Sequence, residues 1–244
     1  MNKIKLCCHE DYNFGDQLSK VIVEWISKKK VKLVDRDEEK KLVAVGSILD
    51  VAREGDIIWG TGIHPSHYIR LKHYDLWRNP KNLDVRAVRG PITRDFLLSE
   101  GIPCPKIYGD PAILMPLIYP AKPNPKKKFG IIPHLFDRCL FKGKKFIDVR
   151  ESWKDVINSI LECEMIISSA LHGIIVAEAY GIPAVWLRIS HKEGIIKYLD
   201  YYMGTNRCVR PVYSIKEAIK SKGEQIPGFD TKSLIKAFKE KRIC

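Results

Sequence analysis

Two doubly wound α/β halves facing a cleft is the fold class this sequence predicts, and three observations carry the reading. Short apolar strands alternate with helical patterns along the 244 residues, as in parallel-sheet architectures. The stretch YPAKPNPKKK at 119–128 breaks that alternation with three prolines and four lysines, the composition of a semi-rigid linker. Polar clusters fall at the carboxyl ends of the predicted strands, where open parallel sheets hold ligands. These are Asn13–Asp16, Gly60–His64, Arg89–Arg94, Gly109–Pro111, His134 and Ser168–Gly173. The expected halves are 1–120 and 121–244.

Each element has its own warrant. Lys3–Cys8 alternates apolar residues as a strand, and the loop HEDYNFGDQLS leads into a helix. Leu18, Val21, Ile22, Trp25 and Ile26 keep helical spacing there. Further strands are expected at Val31–Val34, Leu42–Val45, Asp56–Trp59, Asp84–Val88 and Lys106–Tyr108. A helix begins at Pro91, since proline suits the first helical position. Beyond the linker, Phe129–Ile132 and Phe146–Val149 read as strands and Trp153–Leu161 as a helix.

The segment 164–187, EMIISSALHGIIVAEAYGIPAVWL, is the organising unit. Strand Met165–Ile167 stops at two serines able to cap a helix that opens around Leu171 and His172. A Gly-Ile-Pro turn then returns the chain into strand Ala184–Leu187, completing a βαβ unit. Free N–H groups and the helix dipole favour an anion beside His172. Helices near Gly194–Met203, Ser214–Lys220 and Asp230–Arg242 finish the chain. The last places Leu234, Ile235 and Phe238 on one face, suited to packing on the first half or to lying on an anionic membrane.

Net charge is +13, from 42 basic and 29 acidic residues, which attracts anionic partners without choosing among them. No zinc finger, helix-turn-helix or RNA-binding aromatic strand motif supports nucleic acid as the partner. Seven cysteines, two of them adjacent, form no disulfide framework and predict a reducing cytosol. No apolar run approaches membrane-spanning length, and no signal-peptide core is evident. A cytoplasmic protein, with the inner face of a membrane as an alternative place of contact, is expected. Cys7, Cys8 and His9 are too crowded for tetrahedral zinc. Asp35-Arg36-Asp37 sits in a charged run that reads as a solvated loop, so no metal is expected.

Taken in order, Asn13-Phe14-Gly15-Asp16, Gly60-Thr61-Gly62, Val88-Arg89-Gly90-Pro91-Ile92-Thr93 and Gly109-Asp110-Pro111 form a recognisable series. Ser168-Ser169-Ala170-Leu171-His172-Gly173, Glu178-Ala179-Tyr180-Gly181-Ile182-Pro183 and the Lys197–Tyr202 stretch continue it. The set resembles the polysaccharide pyruvyl transferase family over roughly residues 5–205. The resemblance implies two Rossmann-like halves arranged as in GT-B glycosyltransferases. It also implies transfer of the enolpyruvyl carbons of phosphoenolpyruvate, with no cofactor, onto two hydroxyls of one sugar as a cyclic ketal. Acceptors are sugars of capsules, exopolysaccharides or cell-wall polymers, often lipid-linked. Ala170 departs from the family, many members of which carry arginine before Leu-His.

That chemistry needs cations and N–H donors for a carboxylate and a phosphate, an acid for the methylene carbon, and a base for the acceptor. His172 fits the acid, because a bound phosphate favours the protonated imidazole. Asp16 or Asp110 suits the base, and His134 a second proton carrier from the other half. Arg89 suits a carboxylate or phosphate fork, with Arg94 one turn further on. Asn13, Gly15, Gly60, Gly62, Ser168, Ser169 and Gly173 complete the expected substrate contacts. Structural readings stand beside these: Arg89 as an ion pair, Asp16 as a helix cap, Asp110 as a turn residue, and the glycines as sharp turns. A GT-B transferase using a nucleotide sugar is the alternative function, and a basic nucleic-acid-binding protein a more distant one.

Overall fold

The computed structural model describes residues 3–8, 13–63, 77–192, 194–226 and 228–239. His64, His9 and residues 240–242 of the expected last helix lie outside them.

In the first half, strands β1 (Ile4–Cys7), β2 (Val31–Leu33), β3 (Leu42–Val43), β4 (Ile57–Trp59) and β5 (Asp84–Ala87) form one parallel sheet in the order β2-β1-β3-β4-β5. The order reverses direction between β1 and β3, which makes their carboxyl ends a ligand crevice. Helix α1 (Phe14–Ser27) follows β1, and α2 (Pro91–Ser99) follows β5 with proline in its first turn. A 3-10 turn at Pro111–Leu114 and the short α3 (Met115–Ile118) close this half.

The second half carries a three-stranded parallel sheet, β6 (Gly130–Ile132), β7 (Ile166–Ser168) and β8 (Ala184–Trp186), in sequential order. Helix α4 (Trp153–Leu161) precedes β7, and α5 (Leu171–Ala179) links β7 to β8. Then come α6 (Ile196–Gly204), α7 (Ile215–Lys220) and α8 (Thr231–Lys239). Both sheets being parallel and helix-covered, the chain is α/β and compatible with a Rossmann-like fold.

Two expected strands are not strands. Lys106–Tyr108 contributes a single parallel bridge, Tyr108 to Val88. Phe146–Val149 gives the Ile147 N–H to the Ile131 carbonyl (2.8 Å) and then turns away. Its Asp148 carboxylate is held by Arg138 and Arg150, and the Val149 carbonyl accepts from Phe14 N–H at 2.7 Å. With its backbone and side chain engaged sideways, the segment cannot extend the ladder.

The two halves share one core. A continuous apolar cluster runs from Leu6, Leu18 and Ile22 through Ile132, Ile160 and Ile174 to Leu234 and Phe238. The linker is docked rather than loose: Asn124 N–H bonds the Leu161 carbonyl, and Lys126 and Lys127 both grip the Glu162 carboxylate. Those ammonium groups pull Glu162 down to about 2. Helix α8 lies against the first half. Trp59 Nε1–H donates to the Leu234 carbonyl (2.9 Å), and Phe238 meets the Trp59 ring edge-on at 4.7 Å. Leu234 and Phe238 are buried there, so the apolar face considered for a membrane is already covered by protein. Among the described residues, no helix is long and apolar enough to cross a membrane.

Candidate active site

A cavity of about 390 Å³ opens between the carboxyl ends of the two sheets. From the first half it takes Asn13, Phe14 and Asp16 after β1, and Gly46, Ser47 and Ile48 after β3. The two loops that flank the strand-order reversal therefore both wall it. From the second half it takes His134, Leu135 and Phe136 after β6, Val149, then Ala170, Leu171 and His172 after β7, and Lys197 of α6.

Local chemistry places each group. Asn13 caps α1, its side chain accepting from Asp16 N–H at 3.3 Å. Asp16 is thus a first-turn residue, not the cap, and the Asn13 amide also donates to its carboxylate. Ala170 occupies the cap position of α5 with no side-chain cap. The serines brace loops instead: Ser168 Oγ accepts from Ala170 N–H (3.0 Å), and Ser169 Oγ accepts from His134 N–H (2.9 Å). The first turns of both α1 and α5 reach the cavity wall, and the positive ends of two helices favour an anion between them.

His172 crosses from the second half into the first. Its Nε2 stands 3.6 Å from Asp110 Oδ2, too far for a hydrogen bond. Both atoms are buried and unpartnered. The opposite edge of the ring rests on Gly15, where an added Cβ would lie 2.2 Å from Nδ1. Asp110 itself is fixed, since its Oδ1 accepts from Ala112 N–H at 3.0 Å in the 3-10 turn. Across the cavity, His134 Nδ1 accepts from Phe136 N–H at 3.3 Å, which leaves the neutral ring's proton on Nε2.

The structure gathers His172, His134, Asp16 and Asn13 at the cavity, with Asp110 and Gly15 on either side of His172. It sends other expected contacts elsewhere. Arg89, expected to fork a substrate anion, is fully buried and forks the protein instead. Its Nε donates to Asp200 Oδ2 (3.2 Å), one terminal nitrogen to Ser47 Oγ (2.7 Å) and the other to the Ile63 carbonyl (3.3 Å). Arg94 Nε donates to the Cys104 carbonyl and is not a cavity residue. Gly60, with φ +84°, makes room for Pro111, and Gly62 for the Arg89 guanidinium. Gly173 packs on Ser168 Oγ and Ile132. Ser168 and Ser169 stand behind the wall, not in it.

Two polar side chains lining the cavity, Ser47 and Lys197, were not among the expected ones. Ser47 follows β3 at the reversal point, so the strand-end rule that selected the other clusters reaches it as well. Lys197 opens the Lys197–Tyr202 stretch that had been matched only as a motif. Its residue is 7% exposed, and its ammonium lies 5.3 Å from the Tyr198 ring centroid. Among the described residues lining the cavity it is the lysine, and no arginine joins it.

Comparison with known proteins fits this geometry. The family model described as polysaccharide pyruvyl transferase matches residues 13–191, well over half of the chain. The chain belongs to the polysaccharide pyruvyl transferase family. Ala170 lines the cavity, and Lys197 supplies a cation to the same cavity wall. A mimivirus protein from Acanthamoeba polyphaga mimivirus, L143, is 29% identical over 212 residues, covering 79% of this chain and 70% of that protein. The succinoglycan biosynthesis protein ExoV of Rhizobium meliloti is 29% identical over 145 residues, covering 54% of this chain and 44% of ExoV. A crystal structure from Klebsiella pneumoniae, of protein KP1_0663, superposes with a TM-score of 0.53 at 15% identity. It covers 86% of this chain and 93% of that one, a likeness of fold.

Burial of ionised groups marks the scaffold around the site. Glu178, at the far end of α5 from His172, takes both Arg207 terminal nitrogens at 2.8 and 2.7 Å and the Tyr201 hydroxyl. Burial pushes the Glu178 carboxyl up while Arg207 draws it back. No group of three or more His, Cys, Asp or Glu side chains among the described residues could hold a metal ion.

Proposed function

We propose that this protein moves the enolpyruvyl carbons of phosphoenolpyruvate onto a sugar of a polysaccharide precursor, closing a cyclic pyruvate ketal and releasing phosphate. Membership of the pyruvyl transferase family supports the transfer, and the similarity to a succinoglycan biosynthesis protein supports a polysaccharide acceptor. The observation that carries the reading is His172, seated between Gly15 and Asp110 at the edge of a cavity lined by two helix amino-termini and Lys197. Such a cavity suits a small, doubly anionic molecule. The two-sheet arrangement is read as GT-B-like, with the donor between the halves and no cofactor. The expected acceptor is a glycan or lipid-linked oligosaccharide, met in the cytoplasm or at the inner face of a membrane.

The steps follow from the groups present. His172, held between Asp110 and Gly15 at the cavity edge, delivers a proton to the methylene carbon. C2 then carries an oxocarbenium that a sugar hydroxyl attacks, its proton passing to Asp16. The C2–O bond to phosphate breaks, and the second hydroxyl closes the ketal. Of the two hydroxyl protons, one replaces the proton given to carbon and the other leaves with phosphate. Asp110, 3.6 Å away, stabilises the imidazole when it is charged, while the Gly15 backbone fixes the position of the ring.

The test is incubation with phosphoenolpyruvate and a panel of lipid-linked sugars, following phosphate release and the acceptor's mass. Phosphate release coupled to a mass gain is expected. Turnover of nucleotide sugars with none of phosphoenolpyruvate would replace this reading with the glycosyltransferase one.

A further inference from the structure

Ser47 meets the cavity on one side and a buried guanidinium on the other. Arg89 donates to its Oγ at 2.7 Å, and arginine has no acceptor, so the direction of that bond is fixed. No protein acceptor for Ser47's own proton is found among the described residues. A hydroxyl that accepts from a cation becomes a stronger donor in turn. Arg89 is clamped by Asp200, whose carboxylate also accepts from Thr93 N–H (3.0 Å) and the Thr93 hydroxyl (2.6 Å). Both Arg89 and Asp200 are 0% exposed. The clamp has room only because Gly62 lacks a Cβ, which would fall 2.1 Å from Arg89 Cζ.

We propose that Ser47 is a binding residue that donates its hydroxyl proton to an anionic oxygen of the donor substrate, with Arg89 and Asp200 as positioning residues acting through it. Asp200 lies three residues after Lys197 on α6, so one helix reaches the cavity twice, directly through Lys197 and indirectly through Asp200, Arg89 and Ser47. This explains a buried arginine at a strand end next to a ligand cavity without giving it a ligand of its own. The inference rests on phosphoenolpyruvate being the donor.

The experiment is calorimetric titration of the full chain with phosphoenolpyruvate, beside thermal melts. Ser47→Ala is expected to weaken binding about tenfold or more, the effect of one hydrogen bond to a charged group, in a protein that still melts cooperatively, with a melting temperature lowered because Arg89 loses one acceptor. Ser47→Thr keeps the hydroxyl and is expected to stay within about threefold of the parent. Arg89→Lys is expected to weaken binding in the parent but to add nothing in the Ser47→Ala background. Parent-like affinity in Ser47→Ala overturns the inference, and so does an equal loss in a well-folded Ser47→Thr. Additive losses remove Arg89 from the account. A parent protein that fails to bind phosphoenolpyruvate removes the donor reading itself, and this inference with it.

Discussion

Among the described residues, Arg89–Asp200 and His172–Asp110 both meet across the halves, and they are built in opposite ways. Arg89 and Asp200 are wholly enclosed, and the contacts described above use all three guanidinium nitrogens and both carboxylate oxygens. His172 and Asp110 also meet across the halves, yet their facing atoms stand 3.6 Å apart, buried and unsatisfied. Every polar atom of the first pair is engaged within the protein, and neither residue lines the cavity. An unsatisfied pair keeps a cost that folding alone does not repay, and it sits at the cavity. Satisfaction, more than burial or charge, separates the brace from the pair proposed to react.

The comparison can be broken most forcefully at the brace. Asp200→Ala leaves Arg89 charged and buried without its partner, and denaturant unfolding is expected to show a loss of about 3–5 kcal/mol. A loss below about 1 kcal/mol, the scale of an exposed pair, would mean the pair is no brace. At the other pair the expectation reverses. Asp110→Asn keeps the acceptor for Ala112 N–H but turns an amide towards His172, so turnover should fall about 100-fold or more while the melting temperature hardly moves. A variant that melts early but turns over normally would make Asp110 a turn residue only.

Gly15→Ala sharpens the contrast further. The new Cβ would collide with the imidazole, and displacing the ring by about 1 Å is expected to cost up to about 100-fold in turnover. Normal kinetics there would show that His172 has freedom the account denies it. The smallest effect belongs to a pair outside both. Glu162 is drawn down to about 2 by Lys126 and Lys127, below its unfolded value. Its contribution is therefore complete above the ordinary carboxylate range and lost as pH falls through about 2. Glu162→Gln should lower the melting temperature slightly at neutral pH, progressively less as pH falls through about 2, and hardly at all in about 1 M salt.

What the sequence made legible was local. The 164–187 unit shows its strand, helix, turn and strand because each step has a short-range signal: apolar run, serines, helical apolar spacing, Gly-Ile-Pro. His172 at the helix start follows directly. The strand-end rule also found Asn13, Asp16, His134 and Asp110. It could not tell the two pairs apart, because Arg89 and Asp200 are 111 residues apart in the chain and only packing brings them together. Residue type at a strand end is visible in one dimension, whereas the partner that consumes its hydrogen bonds is not. Phe146–Val149 failed for the same reason, since apolar alternation there was overridden by bonds from Phe14 and two arginines. Ser47 belongs to no motif, and the Lys197–Tyr202 motif gives no sign in one dimension that its lysine reaches the cavity. They matter by what stands behind or beside them.

The most direct test of the central claim is phosphate release from phosphoenolpyruvate by His172→Ala in the presence of a working acceptor. A fall of about 100- to 10,000-fold is expected, with the melting curve of the parent. A well-folded His172→Ala that releases phosphate at near-parent rates would contradict it.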